Sequence, residues 1–214
     1  MQHILSPKYD HSKIEDPTVD DLIDVFEDLW VGYVFAPIEK LLNDQNGHVA
    51  AATLLSSYFE AIESYHSGES SENKSKRYFV AGFCRIFNSD QPGIEHIAEH
   101  IYKHVRCGLA HEGMLSFRVS YSPAGQKPIY ATYPKNSDGT LNTSCGVESI
   151  ILNVPLIAKS VRLHFDRYVK LLKNKTDLEM VLAFERTMRR QLGLGDGIRE
   201  IIVGMTQDEF FGNS

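Results

Sequence analysis

The chain has 214 residues, 43% of them hydrophobic, with 22 basic and 28 acidic side chains and a formal net charge of −6. That length suits one domain with a sizeable core. The acidic balance excludes a protein that coats nucleic acid through a broadly basic surface, but not one with a local basic cleft. No apolar run reaches the roughly 18–20 residues a membrane span needs. Met1 to Asp16 is polar and charged where a signal peptide would have its apolar core. Cys84, Cys107 and Cys145 are odd in number, widely spaced and without a CxxC pair. They read as free thiols in a cytoplasmic protein.

Residues 1–17 carry no periodic pattern and are expected to form a flexible arm. Asp16-Pro17-Thr18 opens the first helix, with Asp20, Asp21 and Asp24 in its early turns, where the helix dipole favours acids. Leu22, Ile23, Val25, Phe26, Leu29 and Trp30 give it a broad apolar face. Pro37 is expected to kink or break this helix before the pattern ends at Asn46-Gly47. A second helix is expected from His48 to His66, alanine-rich early and aromatic later. A polar loop follows over Ser67 to Lys74. Tyr78, Phe79, Phe83, Ile86 and Phe87 predict a third helix ending at Asn88-Ser89-Asp90.

The fourth helix begins near Ile94, with a core stripe at Ile94, Ile97, Ala98, Ile101, Val105 and Leu109. After Gly113 the period changes. Leu115, Phe117, Val119 and Tyr121 alternate, Ser122-Pro123-Ala124-Gly125 turns, and Ile129, Tyr130 and Tyr133 return, which predicts a β-hairpin. A further strand falls within Val147 to Val154. Pro155 then opens a fifth helix through Leu172, and a last helix runs from Thr176-Asp177 to Leu192, stopped by Gly193. The expected architecture is mainly α: a helical bundle over residues 18–193 with a small β-hairpin insertion at about 114–154, between the fourth and fifth helices. Residues 194–214 form a C-terminal tail.

The most informative stretch is Ile101 to Gly113, where Arg106 stands five residues before His111 beside two glycines. A permanently charged guanidinium and an imidazole that titrates near neutral pH are a minimal set for phosphodiester chemistry. One stabilises charge on the phosphate while the other moves a proton. On an ideal α-helix the two positions lie about 140° apart. They converge on one phosphate only if the helix bends or ends near Gly108, or if a second subunit supplies one of them. Read only as residues, Arg106 would cap the helix end and His111 would sit in a polar turn.

The form R-x4-H at the end of a strong helix resembles the signature of the HEPN superfamily of helical nucleotide- and RNA-binding domains, many of them metal-independent ribonucleases. The resemblance covers roughly Val19 to Leu172. It implies a helical bundle, a homodimer that sets two Arg-His pairs across one cleft, and attack of an RNA 2′-hydroxyl on its adjacent phosphate with Arg106 and His111 as catalytic residues. It implies no metal and no cofactor. A stress, toxin or phage-defence setting goes with it, and an antitoxin or other regulator as protein partner. Many active members carry a polar residue directly after the arginine. Here that residue is Cys107, a weak hydrogen-bond donor.

Four further residues are expected to support the site. On a continued α-helix His104 lies about 20° from His111 and would be a second proton-transfer group. Tyr102 could stack a base and Lys103 hold a phosphate. Glu60 on the second helix could orient the arginine. His96, His100 and His104 recur every four residues, and two of them could ligate zinc, but a solvated polar face explains them better. Arg186, Arg189 and Arg190 are either a phosphate contact or the basic complement of a helix end. The two alternatives to a nuclease are a non-catalytic nucleotide- or RNA-binding module and a protein-assembly factor of the same fold.

Overall fold

The structure, a computed structural model, describes residues 4–87 and 93–194, with isolated positions 208 and 212. The expected helix stop at 88–90 and nearly all of the tail after Leu194 lie outside the described residues. The protein is mainly helical with one small sheet. Helix α1 (Val19–Trp30) starts at a capping box: Thr18 accepts from the Asp21 amide, and the Asp21 carboxylate accepts from the Thr18 amide. A π-helical turn over Val31–Phe35 joins it without a break to α2 (Ala36–Leu42). Pro37 therefore does not end the helix. The proline removes one backbone donor, and the wider turn just before it absorbs the mismatch.

Helix α3 (His48–Ser67) is the central strut, packed against α2, α4 (Ser75–Ile86), α6 (Val154–Asn174) and α7 (Leu178–Gln191). It ends at Gly68, whose φ of 74° is the left-handed conformation that suits glycine at a helix C-terminus. Helices α6 and α7 begin at side-chain caps, Asn153 on the Leu156 amide and Asp177 on the Met180 amide. Phe26 is fully buried at the centre of the core, with Tyr65, Phe184 and Phe165 ring centroids 4.6, 5.2 and 5.4 Å away. A second aromatic group, Phe59 with Phe79 and Phe83, fills the α3–α4 crossing. Gly82 makes that crossing possible, since a Cβ there would stand 1.8 Å from the Phe59 carbonyl oxygen.

Residues 4–17, expected to be a flexible arm, are instead fastened to α1. Asp28 is buried and accepts hydrogen bonds from the Ser6 hydroxyl (2.7 Å) and the Lys8 amide (2.8 Å). Burial alone would raise its carboxyl pKa, but these donors and the Lys8 charge outweigh that and hold it below the ordinary value. Pro7 packs on Gly32, Ile14 is buried, and Lys13 bridges to Asp21 and Asp24. The sequence hides this because the anchors are single residues without period.

The expected hairpin is also corrected. Strands β1 (Val119–Tyr121), β2 (Ile129–Thr132) and β3 (Ser149–Leu152) form a sheet in the order β1-β3-β2. β1 runs parallel to β3, with Val119 opposite Ile150, and β2 antiparallel, with Ile129 opposite Leu152. β3 takes the centre because Ile150, Ile151 and Leu152 make both its faces apolar, whereas β1 and β2 present exposed side chains suited to edges. The 122–128 connection is tied to β3's end rather than closing a tight turn. The buried Asn153 amide donates to the Pro123 and Gly125 carbonyls, and its backbone N–H to Pro128. Through Val119, Ile150 and Leu152 the sheet shares the bundle's core.

Candidate functional site

Helix α5 (Ile94–Ile101) continues into an eleven-residue π-helical segment, Tyr102–Glu112, which holds both Arg106 and His111. The helix does not end at Gly108; it runs on through it in the wider π form. In a π-helix the backbone bond closes from i to i+5, so residues five apart stack on one side, one turn apart. The spacing that separates Arg106 from His111 on an α-helix thus brings the two positions to one side here. Such segments are rare beyond a single turn and frequent at functional sites. Gly113, at φ 70°, terminates the segment, and the chain doubles back over it. Gly108 is buried beneath that return, since a Cβ there would come within 2.9 Å of the Met114 carbonyl oxygen. The Ser116 amide then meets the His104 carbonyl at 3.5 Å.

Arg106 is about one-third exposed. Its guanidinium lies 3.4 Å from the Glu60 carboxylate on α3 and 5.8 Å above the Tyr102 ring. Glu60 is itself held by the Ser75 hydroxyl at the start of α4, at 2.6 Å. Ser75, Glu60, Arg106 and Tyr102 form a chain of contacts spanning three helices, with the guanidinium left partly open to solvent. Glu60 thus meets the arginine as expected from the sequence, and Ser75 is the member sequence reasoning missed. Tyr102 is braced from behind by Phe79 at 5.3 Å. His111 is exposed, one turn along from Arg106.

His104 does not join this group. It stacks on His100, with ring centroids 4.4 Å apart, and both line a separate cleft of about 630 Å³ on another flank of the helix. Arg106 and His111 are not among the lining residues described. The same widening that unites residues five apart carries residues seven apart to different sides, which corrects the expected nearness of His104 to His111. Lys103 and Cys107 also line this flank cleft, so the Cys107 thiol stands beside the histidines. Burial, then the Lys103 and Arg118 charges, lower the pKa of His104; with His104 added they bring His100 to about 4.

Glu63 is paired to Arg85 through both oxygens. Two of the basic residues toward the end of α7, Arg189 and Arg190, make structural contacts. Arg189 donates to the Pro17 carbonyl (3.1 Å) and pairs with Glu185, and Arg190 donates to the Gly68 carbonyl (3.1 Å). Among the described residues no group of three or more histidine, cysteine or acidic side chains is placed to hold a metal ion, the histidines at 96, 100 and 104 included. Cys84, Cys107 and Cys145 are free thiols. No described helix is long and apolar enough to cross a membrane.

Compared with protein-family models, with curated proteins and with solved structures, the chain has no significant match.

Proposed function

We propose that this chain is a HEPN-like endoribonuclease that cleaves RNA without a metal, using Arg106 and His111. The observation that carries the proposal is the π-helical segment, which supports Arg106 and His111 acting from one side of the helix, with Glu60 bracing the arginine. The reaction moves no electrons to or from a cofactor. His111 takes the proton of an RNA 2′-hydroxyl, and the oxygen attacks the adjacent phosphorus. Arg106 stabilises the extra negative charge of the phosphorane-like transition state. The bond to the 5′-oxygen breaks, a proton is returned to that oxygen, and the products are a 2′,3′-cyclic phosphate and a free 5′-hydroxyl. A homodimer would set a second His111 across the cleft to return the proton, with one imidazole as base and the other as acid. The setting is a cytoplasmic stress, toxin or defence module held in check by a protein regulator.

A non-catalytic RNA- or nucleotide-binding module is the second reading. Cys107 favours it, because the residue after the arginine is a weak donor turned toward the flank cleft.

The test is the chemistry of the ends. Purified protein in EDTA is expected to cut an RNA oligonucleotide, to leave the DNA of the same sequence whole, and to generate cyclic phosphate termini. Cutting both polymers, or leaving 5′-phosphate ends, contradicts 2′-hydroxyl attack. No cutting at high protein concentration favours the binding module.

A further inference from the structure

The flank cleft is a cationic surface in an acidic protein. Three cations line it, Lys76, Lys103 and Arg118, against one carboxylate, Glu99. Glu99 is paired with Lys76 at 2.8 Å, which leaves Lys103 and Arg118 without an ion-pair partner among the described residues. The Arg118 guanidinium lies 5.6 Å from the ring centroid of the neighbouring Phe117. His100, also on the lining, has a fully buried Nε2 with no hydrogen-bond partner. That atom is sealed inside the protein, so the groups open to a ligand here are the Lys103 ammonium and the Arg118 guanidinium. Tyr102 connects the two faces of the helix, lining this cleft while carrying Arg106 above its ring.

We propose that this cleft is a phosphate-binding site, formed by Lys103 and Arg118, which takes a phosphate of the RNA strand whose scissile phosphate lies at Arg106. A phosphate group matches the lining in charge and in hydrogen bonding. Its oxygens accept from the ammonium and the guanidinium, and planar Arg118 can engage two of them at once. Both the cleft and the Arg106 side reach Tyr102, so one strand can pass from one to the other around that ring. The inference rests on the RNA reading for its source of phosphate. A free nucleotide offers the same chemistry, and the experiment separates the two.

The experiment is fluorescence anisotropy with a labelled single-stranded RNA at fixed salt. It uses the wild type and Lys103→Ala combined with Arg118→Ala, with ATP and inorganic phosphate titrated as competitors. Lys103 and Arg118 are exposed, so the paired variant should melt with the wild type. Removing two phosphate contacts is expected to weaken RNA binding about tenfold or more and to flatten its salt dependence. Restoring charge with Lys103→Arg and Arg118→Lys should recover most of the affinity. RNA binding that is unchanged in the paired variant overturns the cleft and leaves the ribonuclease reading intact. ATP or phosphate binding that depends on Lys103 and Arg118, without RNA binding, keeps the phosphate site but assigns it to a free nucleotide, and the RNA reading falls. No binding of any of the three overturns the inference.

Discussion

Replacing Gly82 with alanine puts a methyl group where α4 crosses α3. The new Cβ would stand 1.8 Å from the Phe59 carbonyl oxygen, whereas real Cβ contacts essentially never fall under 3.0 Å, so the helices must part by more than about 1 Å locally. The obstructing atom is backbone and cannot rotate away. Parting the helices also loosens Phe59 from Phe79 and Phe83, whose rings now sit 5.2 and 5.3 Å away. Overpacking of this kind costs about 3 kcal/mol, toward the upper end of the usual range because both partners are helix backbone. Alanine returns about 1 kcal/mol of helix propensity. The net loss is about 2 kcal/mol, which for a chain of this length lowers Tm by about 4–8 °C. The change reaches the candidate site because Ser75 at the start of α4 holds Glu60. Thermal unfolding followed by circular dichroism is the assay. A variant that melts at or above the wild-type temperature refutes the close crossing.

Three other outcomes are expected. Asp28→Ala removes the acceptor that ties Ser6 and Lys8 to α1, at a cost of about 1–3 kcal/mol, and should speed trypsin cleavage after Lys8 and Lys13; cleavage at the wild-type rate would mean that other contacts hold the segment. His66 and His164 are kept neutral by burial and then by the nearby Arg85 charge, each with a pKa of about 4 against an ordinary 6.5. The unfolded chain therefore binds more protons, and stability falls as pH drops from about 6.5 toward about 4; His66→Gln with His164→Gln should flatten that slope, and an unchanged slope would assign it elsewhere. Glu60→Gln leaves a neutral group beside Arg106 and should lower kcat for RNA cleavage about tenfold with little change in Tm or KM; an unaffected kcat removes Glu60 as a positioning residue.

The helices were legible because their signals are local. Thr18, Asp177 and the aliphatic stripes of α1 and α6 sit where the structure uses them, and α4 begins only a turn before its first aromatic residue. Strand order was not legible, because it depends on which segment can bury both faces, a comparison between β3 and the distant β1 and β2. The anchoring of residues 4–17 rests on scattered single contacts, among them the buried Asp28 carboxylate, which lies twenty residues from Lys8. At the candidate site, Arg106 and His111 stood out by chemistry and spacing, and Glu60 by its place on the neighbouring helix. The π-helical winding did not, since Val105 and Leu109 continue an α-helical stripe straight through it. That one difference in winding sets positions 106 and 111 on one side of the helix, while His104 lines the flank cleft.

The most direct test of the ribonuclease account is the single-turnover rate of RNA cleavage in EDTA for wild type, Arg106→Ala and His111→Ala, with all three shown to melt alike. Loss of the proton-transfer group or of the charge-stabilising guanidinium should each reduce the rate about 100-fold or more. Cleavage by His111→Ala at the wild-type rate would contradict the account, because the imidazole placed one π-turn from Arg106 would then take no part in the chemistry.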